Sequence, residues 1–169
     1  MNQLNVTRNK NTSRVIPATT TKGTVSVPAR LKRLDRTQRH VVLATASGNR
    51  PHASLVAFAL TPDCRALLFA TPKATTKHRN MIRNSRVSLV IDSRENTNKD
   101  YLGAEAITIF GRAHEVKQKR ARTGMAATLT RKHPTLREFV EASTTALMPV
   151  KIESCLHVER FQSVSGWKV

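Results

Sequence analysis

The chain has 169 residues, of which 39% are hydrophobic, so it is long enough for one domain with a sizeable core. Its longest apolar runs, VVLATA and LVAFAL, have the length of strands, which excludes a membrane-spanning helix of roughly 20 residues. A total of 29 Lys and Arg against 11 Asp and Glu gives a net charge of +18, which predicts attraction to anionic ligands and polyanions, while 4% aromatic residues argue against a nucleic-acid surface built on base stacking.

The two cysteines, Cys64 and Cys155, lie far apart and match neither a disulfide framework nor a CxxC metal site. Each is expected to be a small buried residue. Isolated thiols indicate a reducing compartment, so the sequence predicts a cytoplasmic protein.

Residues 1–30 are rich in Asn, Thr, Ser and Lys and show little apolar periodicity. This composition predicts a disordered basic arm ahead of a single domain at 31–169. The arm has no long apolar stretch of the kind found in secretory signals. An organellar transit peptide, an arm that wraps around a partner subunit and weak polyanion binding all stay open for it.

The rest of the chain alternates between short strands and amphipathic helices. Helices are predicted at Leu31–His40, Thr76–Asn84, Arg120–Arg131 and Pro134–Ala142, with a polar loop at 93–103. Strands are predicted at Val41–Ala46, His52–Leu60, Ala66–Thr71, Val87–Asp92, Ala106–Val116 and Val150–Val164, with a bend or bulge at Gly111. Short strands joined by tight turns favour an antiparallel barrel or sandwich with added helices over a doubly wound parallel sheet.

The turn before the second helix concentrates cations where a helix does not favour them. Lys73, Lys77 and Arg79 lie at or near the helix N-terminus, whose partial positive charge repels them unless an anion lies between them. Free backbone N–H groups, threonine hydroxyls and a lysine together make an anion site, most simply for a phosphate. The alternative is a solvated helix with ordinary exposed charges.

Four stretches carry a family resemblance in this order: PHASLVAFAL (51–60), LLFATPKATTKHRNM (67–81), RNSRVSLVID (83–92) and AITIFGRAHEV (106–116). With them the chain resembles the pyridoxamine 5′-phosphate oxidase-like superfamily of FMN-binding split β-barrels. The resemblance implies a mainly β fold with helices, built on a six-stranded antiparallel split β-barrel. It also implies a homodimer that binds FMN at the subunit interface.

The resemblance further implies which residues bind the cofactor. In the family, the strand that corresponds to 54–57 lies along the flavin, and the turn after the third strand holds the phosphate. The implied cofactor-binding set is therefore Ser54, Leu55, Val56, Ala57, Thr71, Thr75, Thr76 and Lys77. Thr76 and Ser54 stand where family members often carry arginines, so Lys77 is expected to be the main phosphate contact, with Arg79 or Lys73 as a replacement cation.

The resemblance implies an FMN-binding flavoprotein, an oxidoreductase of unknown small-molecule substrate in which the flavin carries the electron chemistry. The sequence shows no catalytic triad, carboxylate pair or metal-ligand cluster, so neither a catalytic residue nor a metal ligand is predicted. Vitamin B6 synthesis is not expected, because Cys155-Leu156-His157 lacks the arginine of the oxidase substrate signature.

The alternative function is a haem-binding or haem-degrading protein, or a non-enzymatic cofactor carrier. The segment LTRKHPTLREFVEA resembles the haem-binding branch of the superfamily. That branch uses a histidine near its C-terminus as an iron ligand. The late histidines of this chain are His133 and His157, and both are expected to be structural.

Overall fold

The structure is a computed structural model that describes residues 25–159 and 163–169. Within these residues, seven strands form one antiparallel sheet: β1 (His40–Ser47), β2 (Arg50–Leu60), β3 (Ala66–Pro72), β4 (Arg86–Asp92), β5 (Glu105–Ala113), β6 (Thr145–Glu159) and β7 (Ser163–Lys168). Their order is β3-β2-β1-β4-β5-β6-β7, and a further pairing of β3 with β6 closes the first six into a barrel. The predicted six-stranded antiparallel split β-barrel is confirmed, with β7 as an extra strand paired to β6.

The end of the sheet differs from the single strand predicted at Val150–Val164. β6 begins earlier, at Thr145, and β7 is a separate strand. The first six residues of β6 are all buried, because one face of the strand lies in the barrel core and the other lies under the C-terminal helices. They therefore lack the alternating pattern by which a strand is recognised. Phe161, an apolar position of the predicted strand, lies outside the described residues.

Gly111 lets β5 and β6 approach each other closely. The register between these strands shifts between Phe110 and Gly111. A Cβ atom at Gly111 would lie 2.3 Å from the carbonyl oxygen of Lys151 and 2.9 Å from Cγ1 of Val150. The predicted bend or bulge is confirmed, because a residue with a side chain does not fit so near the neighbouring backbone.

Inward-facing side chains of alternating strand positions fill the barrel. Five of the largest have no exposed surface: Leu43, Phe58, Phe69, Leu89 and Ile109. Burying a side chain of this size stabilises the fold by about 1.5–3 kcal/mol. Both cysteines are free and belong to this core, as predicted, and burial raises the pKa of Cys155 to about 12.

Five α-helices accompany the sheet in the described part of the chain: α1 (Val27–Thr37), α2 (Thr76–Arg83), α3 (Asp100–Gly103), α4 (Lys119–Lys132) and α5 (Arg137–Glu141). A 3-10 turn at Pro134–Leu136 precedes α5. α3 is a single turn inside the predicted polar loop, while α2, α4 and α5 lie close to their predicted positions. None of the described helices has the length and apolar character needed to cross a membrane.

α1 begins at Val27, ahead of the predicted start at Leu31. Pro28 suits the first turn of a helix, because its missing N–H would have no partner there. Val27 also extends the buried face of Leu31 and Leu34 by one more helical turn. Residues 1–24 of the predicted disordered arm lie outside the described residues, and the arm stays a prediction for them.

Candidate functional site

The first turn of α2 follows directly after β3 and is built by two threonine hydroxyls. The Thr75 hydroxyl donates to the Pro72 carbonyl at 2.9 Å and accepts the His78 N–H at 3.3 Å, which makes Thr75 the N-cap of α2. Thr71, fully buried near the end of β3, lies 3.1 Å from Thr75 between the two hydroxyl oxygens. The single proton of the Thr75 hydroxyl is therefore used, so Thr75 holds the turn and is not a free donor for a ligand.

The backbone of this turn offers two free donors. Arg79 N–H makes the first helical bond, to the Thr75 carbonyl at 3.1 Å. The N–H groups of Thr76 and Lys77 have no acceptor among the described residues. They are orphan donors at the positive end of the helix dipole, and the first turn carries no acidic residue to occupy them.

Lys73 and Lys77 flank the same turn, but only the Lys73 ammonium has partners among the described residues. Lys73 donates to the Ser143 carbonyl at 3.0 Å and lies 3.9 Å from Glu115. Lys77 is half-buried, and its ammonium has neither an acid nor an acceptor partner within the structure described. Lys77 is therefore the lysine of this turn that is available to a ligand. The Lys73 ammonium is already engaged by the Ser143 carbonyl and lies near the Glu115 carboxylate.

Arg79 brings a second positive charge to the helix start. Its guanidinium folds back onto the turn and donates to the Ala74 carbonyl at 2.9 Å and to the Thr76 hydroxyl at 3.1 Å. Because the Thr76 oxygen accepts this bond, its own proton stays available to a ligand. Of the two replacement cations proposed from the sequence, Arg79 contacts the Thr76 side chain at the start of α2, whereas Lys73 is bonded to the Ser143 carbonyl.

Lys77 also lines a cavity of about 360 Å³ on the outside of the barrel. Five predicted cofactor-binding residues line it together: Leu55, Val56, Ala57, Thr71 and Lys77. Facing them are three apolar side chains from the C-terminal helices and the turn between them: Leu129, Leu136 and Phe139. The other three predicted residues, Ser54, Thr75 and Thr76, do not line this cavity.

Ser54 points to the opposite side of β2 from Leu55, because side chains alternate along a strand. Its hydroxyl oxygen is buried without a hydrogen-bond partner in the described part of the chain. The same holds for Nδ1 of His52, two residues earlier on that side. Each buried polar atom of this kind costs about 1–3 kcal/mol unless a water or a ligand pairs with it.

A second cavity of about 360 Å³ adjoins the first, and His40 and Leu55 line both. Leu55 is 65% exposed, which is unusual for a large apolar side chain beside a cavity. His40 opens β1 directly opposite Ala57 in the strand register. Sequence reasoning missed His40, whose one signal was its position at the start of a strand.

One row of residues crosses the outer face of the sheet and continues the surface of Leu55. The strand register aligns, in order across five strands, Leu55, Val42, Val90, Thr108 and Leu156. None of the five is fully buried, and four are apolar. We call these five residues the outer apolar row. Contiguous apolar surface of this kind is a candidate interaction face.

A match to one protein family covers both the barrel and the cavity. The model of the family described as pyridoxamine 5′-phosphate oxidase matches residues 27–156, from the first turn of α1 into β6. The chain belongs to the pyridoxamine 5′-phosphate oxidase family. The matched range contains every residue that lines the two adjoining cavities. No curated protein sequence matches the chain.

Solved structures share the fold of this pyridoxamine 5′-phosphate oxidase family member at low identity. A haem-binding protein of Mycobacterium smegmatis has a TM-score of 0.72 and 16% identity, over 86% of this chain and 59% of that chain. A FAD-binding protein of Mesorhizobium loti has a TM-score of 0.63 and 16% identity, over 79% of this chain and 94% of that chain.

The haem storage protein HutZ of Vibrio cholerae has a TM-score of 0.65 and 16% identity, over 73% of this chain and 88% of that chain. This chain therefore spans less than two thirds of the mycobacterial protein and most of the other two. At such identities the likeness shows the fold alone. The cofactor must be inferred from the residues of the site.

The two late histidines are both used inside the fold. His133 is 5% exposed and donates from Nε2 to the Phe58 carbonyl at 2.8 Å, and burial lowers its pKa below the usual value. His157 is 1% exposed and donates from Nε2 to Glu105 at 2.9 Å, while its Nδ1 lies 3.2 Å from the Ser165 hydroxyl. Both nitrogens of His157 are therefore occupied, as a structural role requires.

Glu105 is the centre of a buried ion network where α1 meets β5 and β6. It accepts from Arg30 and from His157, each at 2.9 Å, and from Arg33, while Arg30 also contacts Glu159 at 2.9 Å. Burial disfavours the charged carboxylate, but the hydrogen bonds outweigh it and hold the pKa of Glu105 below its usual value. Glu105, His157 and Glu159 are close enough together to hold a metal ion. The two arginines already balance the charge of the two carboxylates, however. The network therefore serves to tie α1 to the barrel.

Proposed function

We propose that this member of the pyridoxamine 5′-phosphate oxidase family is an FMN-binding flavoprotein that acts as an oxidoreductase on a small-molecule substrate. The observation that carries the proposal is the unpaired Lys77 side chain at the edge of the cavity. The Lys77 residue is half-buried and lines the same cavity as Leu55 and Ala57, and its ammonium has no partner in the described chain. A partly buried cation beside two free helix N–H groups is favourable when an anion such as a phosphate binds between them.

The residues present fit the phosphate end of FMN. Lys77, the N–H groups of Thr76 and Lys77, and the Thr76 hydroxyl supply one charge and three donors at one turn. Arg79 supplies a second charge beside Thr76, which compensates for the arginines that the family often carries at 54 and 76. Thr75 contributes indirectly, by fixing the start of α2.

The apolar walls of the cavity fit the flavin ring. Leu55 and Ala57 lie on the barrel side, and Leu129 and Phe139 lie on the helix side. A ring between them would be shielded from water on both faces. Bound FMN supplies two-electron transfer, and the chain supplies binding, orientation and exclusion of water.

We infer that a second copy of the chain completes the site. A cavity of about 360 Å³ is at the lower end of ligand sites, which run from about 300 to 1,000 Å³. The exposed Leu55 belongs both to this cavity and to the outer apolar row. A homodimer that packs on this row would cover Leu55 and close the cavity, so that the flavin binds at the subunit interface.

The substrate would enter the adjoining cavity. His40, Asp92 and Arg94 line it, so it offers charged and polar contacts beside the proposed ring position. No catalytic residue is assigned among them. The two free, buried cysteines fit a reducing compartment, and we place the protein in the cytoplasm.

The visible spectrum of the full-length protein tests the proposal. Bound FMN should absorb at about 450 nm, either in the protein as purified or after FMN is added and the excess is removed. Turnover of a reduced nicotinamide with oxygen or an artificial acceptor would then separate an oxidoreductase from a cofactor carrier. A colourless protein that retains no added FMN contradicts the proposal. A Soret band after added haem, without flavin binding, would support the haem alternative, for which His133 and His157 offer no free ligand.

A further inference from the structure

A cleft of about 710 Å³ lies between α4 and α5, and the candidate cofactor site does not use it. Its wall on α4 includes Lys119, Ala126 and Arg131, and its wall on α5 includes Arg137 and Val140. The two cavities share no lining residue, although both contact this helical pair. We call this cleft the α4–α5 groove.

The α4–α5 groove carries an excess of positive charge. Four basic residues line it against a single acid, Glu141. Glu141 contacts Arg137 at 3.8 Å, where both side chains are mostly exposed, so this pair is weak. Lys119 and Arg131 have no acid or acceptor partner in the part of the chain that the structure describes. They leave uncompensated positive charge near the two ends of the groove.

Arg122 has a different role from the other cations. Its Nη2 donates to the carbonyls of Val140 and Ala142 at 3.0 and 3.2 Å, at the C-terminal end of α5. These bonds hold the two helices together and use the orphan carbonyls of α5. The groove is therefore a fixed feature of the helix pair.

The floor of the groove is aliphatic. The methyl groups of Ala126 and Ala127 lie between the charged ends, and the lining there also includes Val140, which is itself fully buried. The hydroxyls of Thr123 and Thr130 donate back to carbonyls of their own helix, at 3.1 and 2.9 Å, so their protons are not available to a ligand. No aromatic ring lines the groove, so it has no platform on which a nucleobase could stack.

We propose that the α4–α5 groove binds an amphiphilic anion, a linear aliphatic chain with a carboxylate head group. Lys119 and Arg131 are 12 residues apart on α4, a distance of about 18 Å along the helix axis, so an extended chain fits between them. Either cation pairs with the carboxylate, and the methyl groups of the floor cover the aliphatic chain. The binding is independent of the proposed flavin.

Isothermal titration of the full-length protein with dodecanoate tests this inference. Dodecanoate should bind, while dodecyltrimethylammonium, with the same chain and a positive head group, should not. Lys119→Glu combined with Arg131→Glu should weaken dodecanoate binding by about tenfold or more, because two attractive charges become repulsive. The matched control reverses two exposed charges elsewhere, Arg86→Glu and Lys151→Glu, and should leave the affinity unchanged.

A second variant keeps every charge and fills the floor instead. Ala127 is exposed in the groove, so Ala127→Trp should fold normally and abolish dodecanoate binding. The inference is overturned if dodecanoate does not bind, if dodecyltrimethylammonium binds as well, or if the control variant loses as much affinity as the groove variant. It is also overturned if a short oligonucleotide binds in the groove and dodecanoate does not, since that result would identify a polyanion site.

Discussion

Replacing Lys77 by alanine removes the cation of the proposed FMN site whose ammonium has no partner in the described chain. A hydrogen bond to a charged group contributes about 1.5–3 kcal/mol, and about 1.4 kcal/mol changes Kd tenfold. Lys77 is half-buried, so solvent screens part of its charge and the lower part of this range applies. We expect the Kd for FMN to rise about 10- to 50-fold in Lys77→Ala.

The assay is a titration of FMN fluorescence, which is quenched on binding, with circular dichroism to show that each variant is folded. Lys73→Ala is the matched control, because it removes an equal charge from the same turn. Lys73 already donates to the Ser143 carbonyl and lies near Glu115, so its loss should change the Kd only slightly. Lys77→Arg keeps the charge and should retain most of the affinity.

Two results would refute this reasoning. If Lys77→Ala binds FMN as tightly as the wild type, the free ammonium is an ordinary surface charge and the phosphate lies elsewhere. If Lys73→Ala weakens binding as much as Lys77→Ala, the effect comes from the net charge of the turn and not from a specific contact. Both results can be read from the same titration.

Four further predictions concern stability, assembly and reactivity. In urea unfolding, Gly111→Ala should lower the free energy of unfolding by about 2–4 kcal/mol, because the added Cβ meets the backbone of β6. The control Gly124→Ala, where the added Cβ meets open space, should raise it by about 0.5–1 kcal/mol. Equal effects of the two substitutions would contradict the close approach of β5 and β6. Glu105→Gln should cost about 3 kcal/mol at neutral pH. Because the folded pKa of Glu105 is lowered, its contribution is present above the unfolded value of 4.5 and lost as pH falls through the folded value, so melting temperatures of wild type and variant should converge in acid. Leu55→Asp should shift a dimer towards monomer in light scattering with little loss of monomer stability, and an unchanged mass would exclude this face as the interface. The Cys155 thiol, with its pKa raised to about 12, should react with a disulfide reagent only after unfolding; fast reaction in the native state would show that it is accessible.

The parts of the fold that local sequence determines could be predicted. The hairpin from β2 into β3 and the start of α2 follow from turn residues, alternating apolar positions and a threonine cap within a few residues of one another. Gly111 was recognisable because a glycine inside a strand indicates a bulge or a close approach. Such features need no knowledge of distant contacts.

The cavity wall opposite β2 could not be predicted in the same way. Leu129 and Phe139 reach the cavity through the packing of α4 and α5 on the barrel, and their apolar spacing predicts only that they are buried somewhere. His40 lies beside Ala57 because of strand register, which no local pattern fixes. The buried first half of β6 was missed for a related reason, since a strand covered on both faces does not alternate.

Hydrogen-bond geometry changed the roles of the threonines within the site. The family resemblance implied that Thr75 and Thr76 both bind the cofactor, but the Thr75 proton goes to the Pro72 carbonyl and the Thr76 oxygen accepts from Arg79. In the proposed site, Thr75 would therefore act on the ligand through the position of α2, while Thr76 would contact it directly. Thr75→Ala should then lower the affinity for a phosphate group by disordering the first helical turn. A cap of this kind also contributes about 1 kcal/mol to the stability of the helix itself.

In the proposed flavoprotein dimer, Leu55 would link cofactor binding to subunit association. Its side chain lines both outer cavities and also begins the outer apolar row, so a partner subunit and a flavin ring would compete for it or cover it together. Simultaneous coverage requires the ring to lie against the Ala57 side while the partner packs on the Val42 side. Each ligand would then complete the binding surface of the other, and the coupling free energy must be the same in both directions. FMN affinity should therefore rise with protein concentration through the dimer equilibrium, a linkage that a site contained within one subunit would not show.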